Sequence, residues 1–258
     1  MDLGLQDKRA LVCGASAGLG LACARALAKE GAHVWIAARR ESLLKERASE
    51  LSALGAASVT WCVADLSQPE GVDALLAQHS EFDIVVTNAG GPRQGDFRQF
   101  TRDDWLTALD TSMFAPIELV KRVLDGMMER GFGRIVNITS SGVKQAVQGL
   151  DLSNGVRAGL TGFMAGLARQ SVARGVTINN LLPGTFETDR LASNFLAQSA
   201  RTGIDAATLL SQRLAMHPAK RLGQPEELGA VCAFLCSQYA GYINGQNILM
   251  DGGSYLGS

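Results

Sequence analysis

Short apolar runs alternate along the chain with longer segments whose apolar residues recur at helical spacing. Runs rich in β-branched residues predict buried strands, and helical spacing predicts helices that pack by one face. The predicted strands begin at Ala10 and continue with His33–Ala38, Ser58–Ala64, Ile84–Thr87, Arg134–Thr139, Val176–Leu182 and Asn247–Met250. Because strands and helices alternate throughout, the pattern predicts an α/β fold, a doubly wound parallel sheet of about seven strands with helices on both faces.

The predicted helices occupy the segments between these strands, at Leu19–Lys29, Glu41–Leu54, Pro69–Gln78, Asp103–Arg130, Leu152–Arg174 and Pro225–Ser237. Pro116 lies inside the fourth helix and disfavours a helical conformation at Ala115, so we expect a kink or junction there. The long segment from about 185 to 218 alternates apolar patches with arginines, and we interpret it as a lid. No internal repeat or low-complexity segment divides the chain, which predicts a single domain over residues 1–258.

Composition and charge narrow the classes of function. With 47% hydrophobic and 19% charged residues, the chain can bury one large core. A net charge of −1 provides no electrostatic footprint for nucleic acid, so we expect a small-molecule partner. No apolar run approaches the length of a membrane span, and we expect a cytoplasmic protein without a membrane partner. The five cysteines and three histidines lack metal-binding spacing, which predicts no metal site.

A glycine-rich turn follows the first predicted strand and contains Gly14, Gly18 and Gly20. Gly14 allows a sharp turn, Gly18 allows a ligand to approach the backbone, and Gly20 allows close packing of helix on strand. The free N–H groups at the start of the next helix can then face a pyrophosphate. An ordinary turn has the same composition, so this stretch alone leaves both readings open.

Two arginines follow the second predicted strand. In dinucleotide-binding folds an acid at this strand end binds the adenosine ribose, whereas a basic residue accommodates a 2′-phosphate. Ala38 occupies the place of the acid, and Arg39 and Arg40 come next. The sequence therefore predicts NADP(H) in preference to NAD(H). The alternative is a solvated corner with no ligand.

Small and polar residues also follow the third and fourth predicted strands. Asp65 either caps the following helix or binds an adenine amino group. Asn88, Ala89 and Gly90 leave room for a cofactor across the carboxyl end of the sheet, where open α/β sheets bind ligands.

Taken together, the motifs resemble the short-chain dehydrogenase/reductase family over essentially the whole chain, most closely its β-ketoacyl carrier-protein reductase-like members. The matching stretches are GASAGLG (14–20), Asp65, NAG (88–90), RIVNITS (134–140), PGTFET (183–188), RLGQPEE (221–227) and DGG (251–253). The resemblance implies a Rossmann-like fold, a homotetramer and a cofactor site. By resemblance that site contains Gly14, Ser16, Gly18, Leu19, Gly20, Asp65, Leu66, Asn88, Ala89, Gly90, Pro183, Gly184, Phe186 and Thr188. Cys13 and Thr87 replace the usual Thr and Asn beside two of these motifs.

Larger departures fall on the residues that carry the chemistry. The family's active site combines an Asn, a Ser and a Tyr-x-x-x-Lys helix. Counting from RIVNITS, the Ser is Ser140, but the Tyr position holds Ser153, the Lys position Arg157 and the Asn position Ser112. A serine hydroxyl is a much weaker acid than a phenol, and a guanidinium stays protonated. Arg157 keeps the ability to bind the nicotinamide ribose and to stabilise a developing alkoxide.

A substitute proton donor is available in the loop after Ser140, where Lys144 is the one cation. A lysine that is desolvated beside a guanidinium gives up its proton more readily. We therefore hypothesise that Lys144 is the acid and that Ser140 and Ser153 hold the substrate carbonyl. The alternative is a solvated loop lysine.

Three functions are compatible with this sequence. The first is NADP(H)-dependent reduction of a ketone, such as a 3-oxoacyl thioester, with an atypical active site. The second is a non-catalytic dinucleotide-binding protein, which the missing tyrosine favours. The third is reduction of another polarised bond, such as an imine that arrives already protonated.

Overall fold

A computed structural model describes residues 1–257, and within that range seven strands alternate with nine α-helices. The strands are β1 (Arg9–Cys13), β2 (His33–Ala38), β3 (Ser58–Val63), β4 (Ile84–Thr87), β5 (Gly133–Ile138), β6 (Val176–Pro183) and β7 (Asn247–Met250). The helices are α1 (Gly18–Lys29), α2 (Glu41–Ala53), α3 (Pro69–Gln78), α4 (Arg102–Leu109), α5 (Ala115–Arg130), α6 (Asp151–Ser171), α7 (Asp189–Thr202), α8 (Ala206–Met216) and α9 (Pro225–Cys236).

The strands form one parallel sheet in the order β3-β2-β1-β4-β5-β6-β7. The chain runs outward from β1 to β3 and then returns to place β4 on the other side of β1. This reversal leaves a crevice at the carboxyl ends of β1 and β4, where sheets of this type bind ligands. The predicted doubly wound parallel sheet is confirmed.

An apolar core covers each face of the sheet, which explains why the strands have continuous apolar sequences. Successive β1 residues point to opposite faces of the sheet. On one face, Val12 lies in a core with Leu27 of α1 and Leu228 of α9. On the other face, Leu11 lies in a second core with Leu119 of α5. All five of these side chains are essentially buried. The sheet is therefore a rigid support for the residues at its carboxyl edge.

A row of buried polar side chains crosses four neighbouring strands. Thr87 Oγ1 donates to Asn137 Oδ1 over 2.7 Å, Asn137 Nδ2 to Asn180 Oδ1 over 3.0 Å, and Asn180 Nδ2 to Asn247 Oδ1 over 2.8 Å. These residues are also register partners in β4, β5, β6 and β7. A slip of one strand would leave amides unpaired in the interior, so the row specifies the register.

The long helical region before β5 is divided in the structure. α4 ends at Leu109, a π-helical segment covers Asp110–Phe114, and α5 begins at Ala115. Pro116 lies in the first turn of α5 and has no N–H to donate to the preceding helical turn, so the hydrogen-bond pattern is interrupted at this junction. The predicted junction near Ala115 is confirmed.

Residues 185–218 contain α7 and α8, so this part of the chain is largely helical. Its role as a lid stays a prediction. Among residues 1–257, we find no helix with both the length and the apolar character needed to cross a bilayer. The same residues contain no group of three His, Cys, Asp or Glu side chains arranged to hold a metal ion.

Candidate active site

The glycine turn after β1 is fitted closely to the end of β4. Gly14 has a φ of +60°, and a Cβ there would lie 2.7 Å from Asn88 Nδ2. A Cβ on Gly20 would lie 2.8 Å from the same amide nitrogen. Both positions therefore require glycine, as the sequence predicts for a sharp turn followed by close helix packing.

The N-terminus of α1 carries N–H groups without a side-chain cap. Its N-cap residue is Ala17, which has no polar side chain, whereas Thr101 caps α4 and Thr188 caps α7. Gly18 begins the helix with a φ of +59° and presents no Cβ toward the crevice. Uncapped N–H groups at the positive end of a helix bind anions. This helix end therefore fits the pyrophosphate of a dinucleotide.

A cationic corner lies beside this helix end. Arg40 Nη2 donates to Ser16 Oγ over 3.4 Å, and Arg39 Nη1 lies 3.9 Å from Asp65 Oδ2. The hydroxyl of Ser67 donates to Asp65 and holds the pKa of Asp65 below its ordinary value. The Arg39 side chain is largely exposed, so its pairing with Asp65 is weak and both guanidinium groups are available to a phosphate.

The remaining predicted cofactor residues lie along the same edge of the sheet. Leu19 is in the first turn of α1, Leu66 follows β3, Asn88, Ala89 and Gly90 follow β4, Pro183 ends β6, and Gly184 comes next. A Cβ on Gly18 would lie 3.6 Å from Thr188 Cγ2, so the turn after β6 approaches the glycine turn. The structure thus brings the two ends of the predicted site together.

The side chain of Phe186 lies in the apolar core. Its ring is buried and packs on Gly223, where a Cβ would lie 2.8 Å from Phe186 Cε1. The ring therefore belongs to the core and not to the crevice. The backbone on either side of Phe186 forms a β-bridge to Gly223: the N–H of Glu187 donates to the carbonyl of Gly223, and the carbonyl of Thr185 accepts from the N–H of Gly223. The N–H and carbonyl of Phe186 itself are therefore free for a ligand.

Arg157 is buried at the end of β5 and is 7% exposed. Its Nη1 donates to the carbonyls of Ile138, over 2.9 Å, and Thr139, over 2.8 Å. Burial, together with the charge of Arg190, lowers the pKa of Arg157 to about 10, so the group remains a cation at neutral pH. One terminal nitrogen is engaged by the backbone, which holds the guanidinium at the carboxyl end of β5.

The two serines near Arg157 differ in their partners. Ser140 Oγ accepts a hydrogen bond from the N–H of Gly142 over 3.1 Å. Ser153, on the same face of α6 as Arg157, is 9% exposed, and its hydroxyl has no hydrogen-bond partner among residues 1–257. The Ser153 hydroxyl is therefore free to bind a ligand.

Ser112 lies in the π-helical segment and is 3% exposed, yet its Oγ has no partner among the described residues. The neighbouring Met113 packs on α6, since a Cβ at Gly159 would lie 3.3 Å from Met113 Sδ. A buried hydroxyl without a partner is costly, and π-helical turns are common at functional sites. Ser112 therefore remains a candidate site residue.

Lys144 does not have the burial that the sequence argument assumes. It follows the short 3₁₀ turn Ser141–Val143 and is exposed, with no side-chain ion pair or hydrogen bond within residues 1–257. The next residues, Gln145 and Ala146, are exposed as well, so the loop is solvated at this position. The expectation of a desolvated lysine is wrong for this structure, and the proton-donor role stays a hypothesis.

Comparison with known proteins identifies the family. The family model described as enoyl-(acyl carrier protein) reductase matches residues 14–255. Acetoacetyl-CoA reductase of Cupriavidus necator is 34% identical and 3-oxoacyl-(acyl-carrier-protein) reductase of Vibrio cholerae is 35% identical, each aligned over 98% of this chain and all of the relative. The chain belongs to the short-chain dehydrogenase/reductase family.

A solved structure agrees with this assignment. L-Sorbose reductase from Gluconobacter frateurii, complexed with NADPH and L-sorbose, matches this short-chain dehydrogenase/reductase with a TM-score of 0.94 and 31% identity over the whole of both chains. The chain is thus an oxidoreductase of the short-chain type. The assignment of Ser112, Ser140, Ser153 and Arg157 to the four active-site positions of the family stays a prediction from the sequence.

Sequence reasoning missed two residues of this short-chain dehydrogenase/reductase that shape the cleft. Asn154 Nδ2 donates to the carbonyl of Val147 over 2.9 Å, and its Oδ1 accepts from the N–H of Val147 over 3.4 Å, which ties the loop after β5 to α6. Arg190 of α7 places its guanidinium against Gly91, after β4. The sequence could have indicated Asn154, because it directly follows Ser153. It could not have indicated Arg190, because the position of that side chain across the cleft depends on how α7 packs.

Proposed function

We propose that the chain is an NADP(H)-dependent reductase of ketones, such as a 3-oxoacyl thioester. The observation that carries the proposal is the shared carboxyl edge of the sheet, which has the uncapped start of α1 and the cationic corner at Arg40 at its β1–β2 part and the free hydroxyl of Ser153 at its β5 part. The relatives named above, which are reductases of acetoacetyl-CoA and of 3-oxoacyl carrier protein, support a ketone substrate.

The cofactor would be held by the chain at three places. The N–H groups of α1 and the turn at Gly18 bind the pyrophosphate. Arg39 and Arg40 bind the 2′-phosphate, which favours NADP(H), and the sorbose reductase structure contains NADPH. The free backbone of Phe186 and the region of Thr188 bind the nicotinamide.

The residues around the reacting carbonyl have distinct tasks. When bound, NADPH supplies the hydride that is added to the carbonyl carbon. Ser140 and Ser153 donate hydrogen bonds to the carbonyl oxygen, and the positive charge of Arg157 stabilises the alkoxide that develops there. The alkoxide then needs a proton, and Lys144 is our candidate donor. If Lys144→Ala leaves turnover of a proven substrate unchanged, solvent supplies the proton instead.

A non-catalytic dinucleotide-binding protein is the second candidate function. It is favoured by the position of the tyrosines, since Tyr239, Tyr242 and Tyr255 all lie in the C-terminal region and none lies on α6. Without a phenol the ordinary acid of the reaction is missing, although the cofactor site keeps its parts. Reduction of a protonated imine is a third candidate, because that substrate brings its own proton.

The experiment that tests these functions follows NADPH absorbance in the presence of a ketone, acetoacetyl-CoA and a cyclic imine. The proposed function predicts consumption of NADPH with a ketone or with the thioester. Consumption with the imine alone would support the third candidate. Binding of NADPH without turnover of any of the three would support the non-catalytic protein and contradict our proposal.

A further inference from the structure

Two guanidinium groups face the cleft from different helices. Arg157 reaches the end of β5 from α6, and Arg190 reaches Gly91, just after β4, from α7. β4 and β5 are neighbours in the sheet, with Thr87 paired to Asn137. The two cations therefore meet at the same part of the carboxyl edge, beside Ser140 and Ser153.

The contact between Arg190 and Gly91 depends on a missing side chain. A Cβ at residue 91 would lie 2.6 Å from Cζ of Arg190, which no real contact allows. Arg190 as a whole residue is exposed, but the contact of its guanidinium with the protein partly desolvates that group and lowers its pKa. The absence of a Cβ at Gly91 thus lets this cation lie over the end of β4.

No carboxylate balances this pair of charges. Among residues 1–257, neither Arg157 nor Arg190 forms an ion pair, whereas Arg9, Arg93 and Arg221 each bind a carboxylate within 3.0 Å. The buried charge of Arg157 is costly unless a counter-charge is supplied, and the like charge of Arg190 beside it adds to that cost. A bound ligand that carries an anionic group would supply it.

The cofactor phosphates have separate binding groups. These groups, the uncapped start of α1 and the Arg39–Arg40 corner, lie at the ends of β1 and β2. The Arg157–Arg190 pair lies instead at the ends of β4 and β5, with the serines that would hold the reacting carbonyl. The unbalanced charge is thus at the substrate end of the crevice. Nη1 of Arg157 already donates to two carbonyls, so Arg190 is the group free to bind an anion directly.

We propose that the substrate is a ketone that also carries a carboxylate, which Arg190 binds while Arg157 contributes positive charge from behind. The inference rests on the proposed ketone reduction and narrows its substrate to an oxo acid. A guanidinium binds a carboxylate with two parallel hydrogen bonds, so Arg190 discriminates the acid from its neutral ester. Among the ketones that the site accepts, the free oxo acid is then preferred to its neutral ester.

A binding experiment tests this without depending on turnover. Pyruvate, acetoacetate and levulinate, each paired with its methyl ester, are titrated calorimetrically into protein saturated with NADP⁺, so that no hydride is available. We expect at least one acid to bind the wild type more tightly than its ester. Arg190→Met should weaken binding of that acid by about tenfold or more and leave its ester unchanged.

Two variants serve as controls. Arg201→Met removes an exposed charge from the last turn of the same helix and should not alter acid binding. Gly91→Ala keeps Arg190 but displaces it, and should weaken acid binding as well. A wild type that prefers no acid to its ester, or equal losses for acid and ester in Arg190→Met, would overturn the inference.

The same titrations separate the substrate from the cofactor as the source of the anion. If Arg190→Met weakens NADP⁺ binding instead, Arg190 serves the cofactor phosphates and the inference is wrong. If acid binding depends on Arg190 but NADPH is consumed with none of the ketones, the anion site stands and the proposed reduction fails. The two claims can therefore fail independently.

Discussion

Ser153 and Arg157 lie on one face of α6 and direct a hydroxyl and a guanidinium toward the end of β5. The sequence alone identifies both positions, because the motif before Ser140 fixes the count to α6. It does not reveal that Nη1 of Arg157 binds the carbonyls of Ile138 and Thr139, since that depends on how α6 packs across β5. The sequence does not reveal the exposure of Lys144 either, because the burial of a loop residue depends on the tertiary structure.

The double variant Ser153→Tyr with Arg157→Lys tests the account of these two residues. An ammonium four residues from a phenol lowers the phenol pKa from ~10 and makes it a better acid for the reacting carbonyl. We expect kcat for ketone reduction to rise by about tenfold or more, measured by NADPH consumption. Ser153→Phe with Arg157→Lys has the same ring without the hydroxyl and should show no gain. An equal effect of both double variants would contradict the account.

The elements of the fold were largely predictable because the strands of the parallel sheet are covered on both faces. β2, α3, β4 and β7 have the predicted bounds, the predicted helix Asp103–Arg130 is divided into α4 and α5, and the other predicted elements differ by a few residues at their ends. The π-helical segment Asp110–Phe114 was not predictable, since its apolar pattern continues that of the flanking helices. Neither was the polar row through Asn137, because nothing local shows that four separate strands align these side chains.

An ion pair at the opposite edge of the sheet connects β1 to the start of β4. Asp83 Oδ1 lies 2.9 Å from Arg9 Nη2, and Asp83 Oδ2 accepts from Arg9 Nε over 3.0 Å. Burial acts to raise the pKa of Asp83, but hydrogen bonds from Arg9 outweigh it and hold the pKa below its ordinary value. Because the folded-state pKa is depressed, the stabilisation is complete above the unfolded-state pKa of about 3.9 and is lost as pH falls through the folded-state value.

We therefore expect Asp83→Asn to lower the free energy of unfolding by about 2 kcal/mol at neutral pH, measured by urea denaturation. The difference from wild type should shrink as the pH falls below about 3.9, the unfolded-state value, and continue to shrink until Asp83 is protonated in the folded protein at its lower pKa. Glu81→Gln removes the exposed second partner of Arg9 and should cost less than about 1 kcal/mol. A difference between Asp83→Asn and wild type that does not change with pH would contradict the role of the charge.

The whole molecule presents apolar side chains near the candidate site that a single chain leaves uncovered. Phe114, at the end of the π-helical segment, and Phe163, on α6, are both more than two-fifths exposed. The family resemblance implies that the helices bearing Ser112 and Ser153 meet in a homotetramer, and exposed aromatic residues on this side are consistent with such a contact.

The mass of the particle in solution tests that assembly. Light scattering coupled to size exclusion should give a mass about four times that of one chain. Phe163→Glu should reduce the assembly, because a charge would be buried against the neighbouring chain. The exposed Phe97, in the short 3₁₀ turn Phe97–Gln99 outside both helices, provides the matched variant Phe97→Glu and should leave the mass unchanged. A wild-type monomer would contradict the tetramer.

The central claim is that a phosphorylated dinucleotide binds between α1 and the Arg39–Arg40 corner. Calorimetric titration of the protein with NADPH and NADH tests it most directly. We predict that the wild type binds NADPH at least about tenfold more tightly than NADH, because two guanidinium groups are available to the 2′-phosphate. The double variant Arg39→Ala with Arg40→Ala should lose that difference while binding NADH as before. If neither reduced cofactor binds the wild-type protein, the account is contradicted.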